Sequence, residues 1–132
     1  MTFENLPNNW SELALTDPLL AADVVDLALG YHDRHLNSML VLLCDDDMRV
    51  SQPCIIEGLD WRCTAADRRG TFRFLTHLPV GAVIIAISSG KQLPADVAQR
   101  WLRSAHHVLA QDGPDLLHFF SAAAADQPQL VT

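Results

Sequence analysis

The residues with chemistry to offer are thinly spread along this chain. Ser88, Ser89, Gly90 and Lys91 lie between an apolar run and a helix start, a setting that suits an anion or small ligand. Free backbone N–H groups at a helix N-terminus point at such a ligand, and Lys91 adds a charge. The segment is not a P-loop. That motif needs Gly five positions before Gly90, where Ile85 stands, and Ser or Thr after the lysine, where Gln92 stands. The plain alternative is a connecting loop.

Histidine supplies the other reactive groups. His118 sits in Leu116-Leu-His-Phe-Phe120, and a lone histidine on an apolar strand is ordinarily a hydrogen-bonded core residue. His106 and His107 fall near a helix C-terminus, where positive charge is favoured. Adjacent helical side chains point about 100° apart, which prevents the pair from easily sharing one metal. His32 and His35 share a helical face only if the helix continues past Gly30. Asp45-Asp46-Asp47 lacks the alternation and glycine of a calcium loop and reads as a solvated turn. No G-x-S-x-G nucleophile motif occurs.

The elements that must position these groups are more legible. Asp17-Pro18 starts a helix over about 18–29, with Asp as N-cap, Pro at the first position and Gly30 at the C-cap. Residues 1–16 form an arm with Phe3, Leu6, Trp10 and Leu13 as anchors. Residues 38–44 and 50–58 read as a β-hairpin around the acidic turn. Thr64 opens a further helix, weakened by Gly70, in which Phe72, Leu75 and Leu78 recur before Pro79. Residues 82–87 are continuously apolar, as in a strand covered on both faces. Pro94 opens the strongest helix, with Val97, Ala98, Trp101, Leu102, Ala105, Val108 and Leu109 in one stripe and Asp96 near its start. Residues 115–121 supply a last strand, and 122–132 a loose tail. The order is α-β-β-α-β-α-β: an α/β domain with a mixed central sheet flanked by helices in three layers.

Composition narrows the function classes. The chain has 132 residues, 49% of them hydrophobic, which suits one domain with a sizeable core, numbered 1–132 with its core at 17–121. A net charge of −7, with no long basic run, argues against nucleic acid. Three cysteines without CxxC spacing read as reduced thiols, hence a cytoplasmic protein. The apolar runs are far too short for a membrane span, and no signal segment is visible.

The hairpin, helix, apolar strand, Ser-Gly loop and Pro-initiated helix together resemble the JAB/MPN domain in its bacterial RadC-like branch. That family carries His-x-His-Pro-Ser-Gly after its strand, then Pro-Ser and an aspartate three residues after that serine. Ser89-Gly90 matches its Ser-Gly and Pro94 its Pro, whereas Ile85 and Ile87 stand at the histidines, Ser88 at the proline, Ala95 at the serine and Ala98 at the aspartate. The resemblance also implies a general-base position at Glu57 and a closing-strand histidine at His118, although the family's preceding Asp is Leu117 here. Catalytic zinc needs three donor side chains and an open position for water, and isoleucine and alanine donate nothing. Asp96 is rotated about 200° from the lost aspartate and serves better as a cap.

The expected function is therefore a non-catalytic interaction or scaffold module, self-associating or bound to a protein partner, with no cofactor and no metal. Trp10, Trp61, Phe119 and Phe120 are candidate interface aromatics, with a place in the core as the equal alternative for each. The alternatives are an anion-binding module using residues 88–91, or a hydrolase with a metal site rebuilt from Glu57, His118 or the paired histidines.

Overall fold

A computed structural model describes residues 6–132; Phe3, one of the expected anchors, lies outside them. The described residues form a mixed α/β structure with five strands and four α-helices. Helix α1 (Pro18–Ala28) begins as its sequence dictates, with the Asp17 carboxylate accepting the Leu19 N–H at 2.9 Å. Its end differs from expectation. Leu29 is the C-cap, and Gly30, at φ −68° and ψ 166°, is extended and starts a second helix, α2 (Tyr31–His35). Five residues carry no readable periodicity, which is why α2 is invisible in the sequence.

Strands β1 (Met39–Cys44) and β2 (Val50–Ile56) form the expected hairpin. Its turn is held by the Asp45 carboxylate, which accepts the backbone N–H groups of Asp47 and Arg49. Those bonds, that from Arg49 foremost, keep the Asp45 carboxyl below its ordinary range. Pro53 sits within β2, which is tolerated because β2 is an edge strand.

Thr64 caps α3 (Ala65–Phe72) by accepting the Asp67 N–H, and a 3₁₀ turn (Arg73–His77) continues it. Strand β3 (Ala82–Ser89) is central. Helix α4 (Ala95–Asp112) connects it to β4 (Asp115–Ala123). The tail contributes β5 (Gln129–Leu130), which pairs with Phe120 and Ser121 and makes the sheet one strand wider than expected. Strand order is β2-β1-β3-β4-β5. The β3–β4 pair is parallel and the other pairs are antiparallel.

Alternation along the strands divides the core in two. Leu40, Leu42, Ile84, Ala86 and Phe120 meet Ala21, Val24 and Val25 of α1 on one face. Met39, Val41, Val83, Ile85, Ile87 and Phe119 meet Phe72 of α3 and the Val97–Ala98–Trp101–Ala105 stripe of α4 on the other. The continuously apolar 82–87 run thus has helices against both faces, and all six residues are fully buried. Trp61 joins the α4-side core. Its indole donates to the Ser88 carbonyl at 2.8 Å, and its own carbonyl accepts the Trp101 indole at 2.8 Å. Trp61, Phe119 and Phe120 are therefore core residues, not interface aromatics, and Trp10 is half-buried against the α1-side core.

Candidate functional site

The C-terminal end of β3, the loop after it and the start of α4 form the place where open α/β sheets commonly hold ligands. Here that place is filled. Ile85 and Ile87 are fully buried, Ala98 nearly so, and all three belong to the same apolar cluster as Val97, Trp61, Phe72 and Trp101.

The loop residues are mostly engaged in packing. Ser88 is fully buried; its hydroxyl donates to the Ser38 carbonyl at 2.7 Å, while its carbonyl accepts from Trp61. Ser89, half-buried, pairs with Ala123 across the parallel ladder. A β-carbon on Gly90 would lie 2.9 Å from the His35 Nδ1, so any larger residue there must displace the exposed His35 ring. Lys91 is exposed, and Gln92 turns inward to donate to the Ser121 hydroxyl at 3.2 Å. Pro94 is the N-cap of α4 and offers no side-chain cap. Asp96, expected to cap, instead forms an i,i+4 ion pair with Arg100 at 3.2 Å.

The residues implied by the resemblance do not converge. Glu57 is exposed just beyond β2. Ile56 and Ile87 both register with Met39, so Glu57 is two strands from β3, about 10 Å across the sheet. His118 registers with Ile84, and a bulge precedes it, with Val83 opposite Leu116. Its Nε2 lies 2.9 Å from the Leu15 carbonyl oxygen, and its ring contacts Phe120, both on the α1 side. His106 and His107 divide as adjacent helical residues must. His106 lines a cavity beside β4 that His118 also reaches, whereas His107 lines the groove towards α3. His35 stacks edge-on against Tyr31 at 4.6 Å. Among the described residues, no three His, Cys, Asp or Glu side chains are grouped closely enough to hold a metal ion.

The cysteines are free, and two of them, Cys44 and Cys63, are poorly suited to nucleophilic work. Burial, helped by the Asp45 charge, pushes the Cys44 thiol up to about 11. Burial also raises Cys63, with Asp67 adding to the effect.

Sequence reading missed the most connected polar group in the molecule. Arg34, buried in α2, forms an ion pair with buried Asp26 at 2.9 Å. Its guanidinium also donates to the carbonyls of Leu29, Ala123 and Asp126. These bonds tie the α1–α2 junction to the end of β4. An acidic residue eight positions before an arginine is too weak a signal to have found the pair. Comparison of the chain with family models, characterised proteins and solved structures returns no match. No helix among the described residues is long and apolar enough to cross a membrane.

Proposed function

We propose that this chain is a non-catalytic α/β module of JAB/RadC-like three-layer design that works by binding protein, including a second copy of itself. The observation that carries this reading is the apolar filling of the β3–α4 corner by Ile85, Ile87 and Ala98. A hydrolase of that design would need donors and a water-accessible metal position there. The binding surface is assigned to the α1–α2 layer. Leu19 is 77% exposed, Tyr31 66% and Leu27 42%, and Leu27 and Tyr31 line one cavity. Exposed apolar groups of this size are the material of interface cores. Three free cysteines fit a reducing, cytoplasmic setting.

Sedimentation velocity across a wide concentration range tests the proposal. The expected result is a concentration-dependent dimer that the pair Leu19→Asp and Tyr31→Asp converts to monomer without loss of folded structure. A single monomeric species at every concentration, or stoichiometric zinc surviving dialysis, overturns it.

A further inference from the structure

The cations of this acidic chain are gathered on one surface. Arg68, Arg69, Arg73, Arg100 and Arg103 are five of its nine Lys and Arg residues, and they line two cavities between α3 and α4. The cavities are about 300 and 370 Å³ and adjoin, because Arg69 and His107 wall both. Asp112, in the second, is the one carboxylate lining either.

The arginines are largely uncompensated. Asp96 engages Arg100 at 3.2 Å. Arg68 is fixed in place, its Nε donating to Ser104 Oγ at 3.3 Å and its Nη1 to the Cys63 carbonyl at 2.9 Å. Among the described residues, Arg69, Arg73 and Arg103 make no ion pair and no side-chain hydrogen bond. Of the 16 Asp and Glu residues in the chain, Asp96 pairs with Arg100 and Asp112 lines the second cavity, which leaves the five arginines in excess. The spacing adds to the repulsion: Arg100 and Arg103 are neighbours three apart on the α4 surface, and Arg69 near the end of α3 is followed by Arg73 at the start of the 3₁₀ turn. A bound anion bridging the two helices removes that repulsion.

The chemistry of the walls selects the anion. A guanidinium presents a planar fork that matches phosphate oxygens two at a time. Two small adjoining compartments sharing one arginine suit two linked phosphates, and their volumes are of small-ligand size. The net charge of −7 opposes a long phosphate backbone. We infer that the α3–α4 groove binds a small diphosphate-bearing molecule, with Arg69 and His107 shared between its two phosphate groups. No residue of the 88–91 loop lines this site, which is independent of the self-association reading.

Isothermal titration calorimetry at low ionic strength tests it, using pyrophosphate and ADP as probes. Orthophosphate, citrate, an acidic peptide and a short single-stranded RNA serve as comparison arms. The expected result is saturable one-site binding of both probes, stronger than that of orthophosphate or citrate. Arg69→Gln and Arg103→Gln should each weaken it about tenfold or more, with circular dichroism unchanged, and Lys91→Gln should leave it unaltered. The inference is overturned by no saturable heat with either probe, by equal affinity in Arg69→Gln, by citrate binding as tightly, or by saturation with RNA or peptide alone.

Discussion

Gly90 and His35 are in such close contact that a β-carbon placed on Gly90 would sit 2.9 Å from the imidazole Nδ1, and the exposed ring would have to swing aside to admit it. A glycine that in sequence suggests a ligand cradle is thereby explained by the seating of α2 against the sheet. Gly90→Ala should cost at most about 1 kcal/mol, the strain of pushing one exposed ring from its rotamer. His35→Ala in the same chain should recover most of that loss. Urea denaturation of the single and double variants measures both, and additive losses would remove the contact from the explanation.

Ser88 and Ser38 make opposite predictions although they adjoin. Ser88→Ala strands a buried Ser38 carbonyl and should destabilise by about 1–3 kcal/mol. The Ser38 hydroxyl has no hydrogen-bond partner among the described residues, so Ser38→Ala should be neutral or stabilising. Thermal unfolding of the two variants side by side would distinguish them.

Arg34→Met leaves the Asp26 carboxylate buried without its cation and should cost about 3–5 kcal/mol. Adding Asp26→Leu should restore only part of that stability. The carbonyls of Leu29, Ala123 and Asp126 would still lack the donors that Arg34 supplied. A double-mutant cycle by chemical denaturation gives the coupling.

Cys44 predicts a pH dependence. Burial, then the Asp45 charge, raises the folded thiol from 9.0 to about 11. Between those values the unfolded chain loses the proton while the folded chain keeps it, so the folded state binds more protons. Stability should therefore fall as pH rises from about 9 to about 11, and level off above. Cys63 is raised too and contributes with the same sign. Cys44→Ala should flatten most of the slope in denaturation curves taken across that range.

Much of the fold was readable because it rests on local rules. The Asp17-Pro18 start, the Thr64 cap, the 82–87 run and the α4 stripe each follow from capping chemistry or periodicity, and each lies where the sequence places it. What was hidden depends on distant partners. Strand β5 exists because Gln129 and Leu130 meet Phe120 and Ser121, and two residues carry no alternation of their own. Gly30 looked like a helix end, yet it starts α2, whose Arg34 reaches back to the Leu29 carbonyl and across to those of Ala123 and Asp126. The arginine groove was invisible for the same reason: its members are scattered over 36 positions of sequence, and only the packing of α3 on α4 collects them.

The Arg34 bonds also set an order of events. The acceptors at Ala123 and Asp126 lie 89 and 92 residues further along the chain. Until that segment has been synthesised and laid beside α2, the guanidinium lacks those two acceptors, and the α1–α2 junction is not yet tied to the end of β4. Contacts of such long separation form late, after the loops they close have been restrained. The hairpin and the β3–α4–β4 unit can assemble from nearer partners. The seam between the α1–α2 junction and the end of β4 is thereby a late one to close.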